Sequence, residues 1–241
     1  MKIIVSAGGT GGHIYPALAI INKFKEKDKD LDVLYIGTHN RMEKDLIPKY
    51  GIKYIPIEIY GISKTNILRD FKNVILIKKA KQKCLNIMKE FKPDVVIGVG
   101  GYVTYPVIWA AKKLNIKTFI HEQNSIPGKA NKLISKDVDL VGVSFKDSIP
   151  YFNNAKKVMY TGNPCSSDAL TKPEIKKEKF NIKSNSKLIL IVNGSLGSET
   201  INNVYKKFLQ VVDDEPYEFL YVTGKSFYND FIKDITYPKN V

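Results

Sequence analysis

A glycine-rich segment near the start of the chain contains the first residues that could carry chemistry. Residues 7–13 read AGGTGGH between an apolar run and a helical pattern, so they predict a turn from a strand into a helix. Glycines allow close approach of a ligand, and a helix N-terminus offers N–H groups to an anion or a polar group. His13 titrates near neutral pH, which makes it a candidate base; the alternative is a structural hydrogen-bonding role.

Two further loops follow the same logic at later strand ends. Residues 98–102 read GVGGY and residues 121–124 read HEQN. Because the carboxyl ends of parallel strands share one edge, where open α/β sheets bind ligands, we expect the three loops to meet in one site. Glu122 could orient an imidazole or bind a sugar hydroxyl, or it could form a structural ion pair at the strand end.

A fourth loop repeats the arrangement near the end of the chain. Residues 193–198 read NGSLGS between an apolar run and a helical pattern. Such a loop suits a phosphate, with Ser195 adding a hydroxyl donor. Two α/β blocks that each carry an anion-binding loop suggest a cleft that holds a nucleotide and an acceptor.

The elements that must position these loops form an alternating pattern. Apolar runs alternate with helical patterns, which indicates an α/β fold with a parallel sheet covered on both faces. We predict a domain at 1–163, and a linker with a partial second domain at 164–241. Predicted strands are 2–6, 32–37, 54–59, 94–98, 117–121, 140–144, 158–161, 188–192 and 219–222; predicted helices are 16–27, 42–50, 71–91, 106–114, 130–135, 199–212 and 227–235.

Composition excludes several classes of function. The net charge is +14, but only Arg41 and Arg69 are arginines, whereas nucleic-acid readers depend on arginine, so we expect no nucleic-acid partner. Two cysteines make no disulfide framework, and three histidines without ligand spacing predict no metal site. No run approaches the roughly 18 apolar residues that span a bilayer. We therefore expect a cytosolic protein, attached at most to a membrane surface.

Residues 8–19, GGTGGHIYPALA, closely resemble the opening of the MurG family of N-acetylglucosaminyltransferases, within glycosyltransferase family 28. The resemblance implies a GT-B fold, with two Rossmann-like domains facing a cleft, the second incomplete here. The first domain would receive the acceptor and the second would hold most of the UDP-sugar. Later motifs match in order at 100–102 with Pro106, 121–124 with 131–132, 162–164, and 194–197 with Asn202.

The resemblance also implies a reaction. GlcNAc would pass with inversion from UDP-GlcNAc to the C4 hydroxyl of lipid-linked MurNAc-pentapeptide, converting lipid I to lipid II in peptidoglycan synthesis. The enzyme would act without a cofactor or metal, as a peripheral protein on the cytoplasmic face of the cell membrane. By the same resemblance, His13 and Glu122 would be catalytic, and donor or substrate would contact Thr10, Gly11, Gly12, Tyr102, His121, Asn124, Asn131, Ser195 and Asn202.

Three departures from the family pattern leave a second function open. Ser166 stands where the family usually has a donor-binding Arg, and Asn193 replaces a usual Gly. The sequence also stops at Val241, before the family's later donor motifs. The alternative to the transferase is therefore a truncated, non-catalytic module that binds acceptor or membrane.

One predicted helix suits an anionic membrane surface. Residues 64–92 hold nine basic and two acidic side chains. On helix 71–91 an apolar face would pack inward, while Phe71 and Ile75 would lie beside Lys72, Lys78 and Lys79. The alternative is a solvated lysine face with Phe71 packed under a loop. Trp109 could be an interfacial anchor or a core residue. The apolar face comprises Ile77, Ala80, Cys84, Ile87, Met88 and Phe91.

Overall fold

The chain consists of two units, which a computed structural model places at Met1–Thr171 and Lys172–Val241. The structure describes residues 1–61, 67–183, 185–194, 197–213, 215–233 and 235–241, and it describes no side chain between 62 and 72. The predicted site residue Ser195, and the side chains of Phe71 and Lys72, lie outside this described part.

The first unit is built on a seven-stranded sheet. Its strands are β1 (Lys2–Ser6), β2 (Asp32–Thr38), β3 (Lys53–Ile57), β4 (Val95–Gly98), β5 (Lys117–Glu122), β6 (Leu140–Val143) and β7 (Val158–Tyr160). Its helices are α1 (Gly11–Lys27), α2 (Glu43–Leu46), α3 (Ile67–Phe91), α4 (Thr104–Lys113), α5 (Lys129–Ile134) and α6 (Pro164–Leu170). Short 3₁₀ helices occupy Ile47–Tyr50, Ser135–Asp137 and Lys146–Phe152.

All strand pairs of this sheet are parallel, in the order β3-β2-β1-β4-β5-β6-β7. The chain runs outward from β1 to β3, then returns to the other side of β1 and runs outward again. The order therefore reverses between β1 and β4. In open α/β sheets this switch point is where the loops part and leave a crevice for a ligand.

Helices cover both faces of the sheet, which explains the continuous apolar runs. Along β1, Ile3 and Val5 pack with Ile14 of α1 in one buried cluster. Ile4, between them, packs in the other cluster with Cys84 of α3 and Ile108 of α4. Successive strand residues point to opposite faces, so each must be apolar when both faces are covered. The predicted parallel α/β sheet is confirmed.

Helix α1 begins at Gly11, five residues before its predicted start at Pro16. Thr10 is its N-cap, with an extended backbone (φ −144°). The second glycine pair of the loop thus forms the first turn of the helix. Pro16 lies inside α1, and because proline has no N–H it cannot donate to the carbonyl of Gly12.

Helix α3 begins at Ile67, earlier than the predicted 71, and its predicted inward face is confirmed. Ala80, Cys84 and Met88 are buried in the core cluster under α3 and α4. Ile77, Ile87 and Phe91 are partly buried against the same cluster. Burial raises the pKa of the Cys84 thiol to about 12, so this cysteine behaves as an apolar core residue.

Helix α6 was missing from the prediction, since only Asn163-Pro164 marked its start. The Asn163 side chain caps it by accepting from the Cys165 N–H at 3.0 Å. The helix belongs to the first unit, where Asn22 of α1 donates to Asp168 at 3.0 Å. The boundary between the units follows Thr171, whereas the sequence-based boundary followed residue 163.

The other helix bounds also differ from the prediction. The segment predicted as one helix at 42–50 is α2 followed by the 3₁₀ turn Ile47–Tyr50, in which Pro48 interrupts helical hydrogen bonding. The helix predicted at 199–212 ends at Phe208. None of the described helices is both long and apolar enough to cross a membrane.

The second unit holds two parallel strands, β8 (Lys187–Val192) and β9 (Tyr217–Val222), with α7 (Glu199–Phe208), α8 (Tyr228–Ile232) and a 3₁₀ turn at Lys177–Phe180. Its small core surrounds Phe219 and Phe231 on one face of the sheet. On the other face, Leu190 and Val192 are 58% and 55% exposed. Parallel sheets are normally covered on both faces, but none of the described residues covers this apolar face of the second unit.

The turn before β6 ties neighbouring strands together through Asp139. Its carboxylate accepts from the Thr118 N–H at 2.9 Å and Oγ1 at 3.1 Å, and from Lys156 Nζ at 2.9 Å. The hydrogen bond from Lys156 and those from Thr118 hold the pKa of Asp139 down at about 2. Asp139 thus fixes the start of β5 from the turn that precedes β6.

We predict that Asp139→Asn lowers the free energy of unfolding by about 1 kcal/mol at pH 7, a modest value because the carboxylate is largely solvated. A depressed folded-state pKa stabilises the fold above the unfolded-state pKa of about 3.9, and this contribution is lost as pH falls towards 2. Urea unfolding followed by the single tryptophan, Trp109, should therefore give a smaller difference from wild type at pH 3. Asp147→Asn, at an exposed aspartate, is the control. An equal difference at both pH values would contradict the assignment.

Candidate functional site

The first two glycine loops touch each other at the switch point. The Gly8 N–H donates to the Gly100 carbonyl at 3.3 Å. Gly101 has φ +86°, and a Cβ there would lie 2.5 Å from the Gly8 carbonyl oxygen. Because a side chain would collide with backbone, only glycine permits this approach. The loops after β1 and β4 thus form one surface, as predicted.

His13 packs on this surface. A Cβ at Gly100 would lie 2.3 Å from the imidazole Cδ2, so the ring occupies the space above that glycine. Its Nδ1 lies 3.4 Å from Thr10 Oγ1. Burial lowers the pKa of His13, and the opposing effects of Glu122, the Gly8 backbone and Glu43 are smaller. Burial therefore favours the neutral imidazole, which is the form that a general base needs.

Glu122 is buried at the end of β5, and its carboxylate organises the following loop. Oε1 accepts from the N–H and the Nδ2 of Asn124, both at 2.9 Å. Oε2 accepts from the Gly128 N–H at 3.1 Å and from Asn131 Nδ2 at 2.9 Å. Four donors satisfy both oxygens, an arrangement that suits a residue positioning Asn124 and Asn131. Its catalytic role stays a prediction.

His121 is also buried, on the opposite side of β5. Its Nε2 lies 3.1 Å from Thr161 Oγ1 and 3.1 Å from the Gly162 carbonyl oxygen. Gln123 Nε2 lies 3.2 Å from its Nδ1. Burial lowers the pKa of His121. With both ring nitrogens engaged, this histidine connects β5 to the segment after β7.

The remaining predicted residues of the first unit divide into exposed and buried groups. Thr10, Gly12 and Asn124 are exposed, and Tyr102 is half-buried beside Gly61. Gly11 and Asn131 are buried. Asn131 Nδ2 also donates to the His121 carbonyl at 3.1 Å, while its Oδ1 is buried with no hydrogen-bond partner among the described residues. The exposed group is available to a ligand without rearrangement.

Glu43 is the site residue that sequence reasoning missed. Its buried carboxylate accepts from the Gly9 N–H at 3.2 Å, which anchors the first glycine loop. In the sequence it lies among other charged residues of the predicted helix 42–50, and no spacing pattern marks it. Thr38, whose hydroxyl donates to Glu43 at 2.6 Å, is the last residue of β2, and a threonine at a strand end is no specific signal.

The fourth loop, in the second unit, is supported by a polar chain. Tyr221 donates to Asn202 Oδ1 at 2.5 Å and accepts from Asn193 Nδ2 at 2.7 Å. Asn202 Nδ2 donates to the Thr223 carbonyl at 3.0 Å. Asn202 is buried by these contacts, and Asn193, the departure from the family pattern, is part of the same network. Among the described residues of the whole chain, no group of three His, Cys, Asp or Glu could hold a metal ion.

The fold and these loops agree with the comparisons to known proteins. Residues 3–143 match the glycosyltransferase family 28 N-terminal domain, more than half of the chain. The chain belongs to glycosyltransferase family 28.

Relatives within the family are similar along the whole chain. The UDP-N-acetylglucosamine--N-acetylmuramyl-(pentapeptide) pyrophosphoryl-undecaprenol N-acetylglucosamine transferase of Halalkalibacterium halodurans is 45% identical over 245 residues, which covers 100% of this chain and 67% of the relative. The enzyme of the same name from Alkaliphilus oremlandii is 40% identical, over 98% of this chain and 64% of the relative. The chain thus spans about two thirds of the length of these relatives.

Solved structures give the same fold. Acinetobacter baumannii MurG has a TM-score of 0.67 and 29% identity, covering 95% of this chain and 62% of that one. A UDP-GlcNAc 2-epimerase from Neisseria meningitidis bound to UDP-GlcNAc has a TM-score of 0.63 and 19% identity, covering 99% and 71%. The epimerase shares the fold alone. The predicted family and the predicted α/β, GT-B-type fold class are confirmed, whereas the roles of individual family-28 residues stay predictions.

We predict that Gly101→Ala destabilises the first unit by about 3 kcal/mol, because the new Cβ meets the Gly8 backbone and the positive φ adds strain. Gly51→Ala is the matched control, with φ +67° and no atom within 4 Å of its Cβ. That change should cost about 1 kcal/mol, from backbone strain alone. Urea unfolding followed by Trp109 fluorescence measures both, and equal costs would refute the close contact between the loops.

Proposed function

We propose that the chain carries out the first-domain part of an inverting GlcNAc transfer from UDP-GlcNAc to the C4 hydroxyl of lipid-linked MurNAc-pentapeptide. The carrying observation is a half-buried His13 set on the joined glycine loops of a family-28 domain, where burial lowers its pKa. The donor sugar and the acceptor are those in the names of the relatives from Halalkalibacterium halodurans and Alkaliphilus oremlandii. Asn124, Thr10 and Tyr102 are the proposed polar contacts around this base.

The chemistry is a single displacement at the anomeric carbon of GlcNAc. His13 takes the proton of the acceptor hydroxyl while the hydroxyl oxygen bonds to the anomeric carbon. The bond between that carbon and the UDP oxygen breaks, and its electron pair goes to UDP. N–H groups at the start of α1 carry positive partial charge, which stabilises the negative charge that develops on the leaving UDP. Positioned general bases of this kind contribute about 10²- to 10⁴-fold in rate.

We predict that His13→Gln lowers kcat for transfer of labelled GlcNAc to a lipid I analogue by at least about 100-fold, with little change in KM. His39→Gln, at a histidine outside the glycine loops, is the control and should leave kcat unchanged. In the wild type, kcat should rise with pH through a value below about 6.5, because the base must be unprotonated and burial lowers its pKa.

The same assay separates the two candidate functions. Retained binding of the lipid I analogue without turnover would favour the non-catalytic acceptor-binding module over the transferase. Equal kcat values for wild type and His13→Gln would remove His13 from the mechanism.

A lipid acceptor requires contact with a membrane, and we infer that α3 provides it on the cytoplasmic face. Val74 and Ile75 are 52% and 48% exposed, beside the exposed Lys78 and Lys79. Exposed aliphatic side chains among lysines suit the boundary of an anionic bilayer. Trp109 is a weaker candidate for an anchor, since it is partly buried against the core and the Lys81 ammonium lies 4.6 Å from its ring centroid.

We predict that Lys78→Glu with Lys79→Glu lowers the affinity for vesicles containing anionic phosphatidylglycerol, measured by co-sedimentation, by at least about 30-fold. Each lost lysine contributes roughly 1 kcal/mol, and repulsion by the new charges adds to this. The control is Lys25→Glu with Lys27→Glu on α1, the helix that covers the opposite face of the sheet. It changes net charge by the same amount. Equal losses in both variants would show that total charge, rather than the α3 surface, governs binding.

A further inference from the structure

Glu43 is a fully buried carboxylate outside the predicted site. It is 0% exposed at the start of α2, a helix of four residues. Burying an ionised carboxylate is costly unless hydrogen bonds compensate it. The hydrogen-bond donors around Glu43 must therefore offset the cost of burying its carboxylate.

Its two oxygens bond to two different parts of the chain. Oε1 accepts from the Thr38 N–H at 3.0 Å and from Thr38 Oγ1 at 2.6 Å, at the end of β2. Oε2 accepts from the Gly9 N–H at 3.2 Å, in the first glycine loop. The carboxylate thus bridges the ends of β1 and β2.

Glycines on both sides make room for this bridge. A Cβ at Gly8 would lie 2.4 Å from Glu43 Oε1, and a Cβ at Gly37 would lie 2.8 Å from Glu43 Cγ. A side chain at Gly8 would therefore meet Glu43 first, whereas one at Gly37 would meet both Glu43 and the Tyr54 hydroxyl, 2.5 Å away. This gives Gly8 a second function besides its contact with the next loop.

The bridge also determines which amides of the loop remain for a ligand. The Gly8 N–H donates to Gly100, and the Gly9 N–H donates to Glu43. Both donors are consumed within the protein, and a negative charge lies behind them. An anion at this loop is therefore confined to the start of α1, next to His13.

We propose that Glu43 is a positioning residue of the site, which fixes the first glycine loop to β2 and thereby sets His13 above Gly100. The role of His13 as a general base rests on the proposed transfer function. The bridge itself rests on the contacts of Glu43, so it is measurable without any substrate.

The test is Glu43→Gln in the full chain. Glutamine keeps the shape but has one oxygen, so its NH₂ group must face either the Gly9 N–H or the Thr38 donors. Hydrogen exchange at the Gly9 amide, measured by NMR, should become at least about tenfold faster, as expected when a charged hydrogen bond is lost. The pKa of His13 should fall further, because one nearby negative charge that raises it is removed.

The other groups facing His13 stay constant in this comparison. Glu122, the Gly8 backbone and the Thr10 hydroxyl are present in every variant. Asp45→Asn, at an exposed aspartate of the same helix, is the control and should change neither value. If the Gly9 exchange rate and the His13 pKa of Glu43→Gln both equalled those of the wild type, the proposal would be overturned, even if the variant were less stable.

Thr38→Val provides a milder variant in case Glu43→Gln fails to fold. It removes one donor to Glu43 and keeps the charge, so Gly9 exchange should accelerate by about threefold or more while the pKa of His13 holds. Unchanged Gly9 exchange would overturn the proposal. Absence of GlcNAc transfer by the wild-type protein, together with the expected NMR results, would count against the proposed function and leave the role of Glu43 standing.

Discussion

The site depends on direct contact between two backbone segments at the switch point of the sheet. Gly8 donates to Gly100, and Gly101 lies against the Gly8 carbonyl. This contact requires that β1 and β4 be neighbours, which the strand order provides. His13 and the start of α1 directly follow the first glycine loop in the chain. A side chain introduced into the contact would therefore displace the candidate base.

Around that contact, buried carboxylates hold the flexible glycine loops in place through hydrogen bonds. Glycine loses more conformational freedom on folding than any other residue. Glu43 holds the first loop through backbone N–H groups and the Thr38 hydroxyl. Glu122 holds the loop after β5 through backbone N–H groups and side-chain amides. Flexible, close-fitting backbone and fixed acceptors are thus paired at the same edge of the sheet.

Sequence alone predicted the first unit well because its determinants are local. Each of the seven strands was predicted within two residues, since apolar runs covered on both faces are unmistakable. The loops at 7–13 and 98–102 were predicted to meet, and they do. Glu43 was missed because its partners lie at Thr38 and Gly9, and only the sheet brings them together. Burial was also invisible in sequence, so His121 looked available to a ligand although both ring nitrogens are engaged.

The uncovered face of the second unit has a consequence for solution behaviour. Leu190, Val192 and Val222 form an exposed apolar strip on a sheet of two strands, and in the described residues neither strand pairs on its outer side. Such strips and edges favour association between copies. The net charge of +14 opposes it through mutual repulsion. Because salt screens repulsion more than apolar attraction, the colloidal stability of the protein should decline as ionic strength rises.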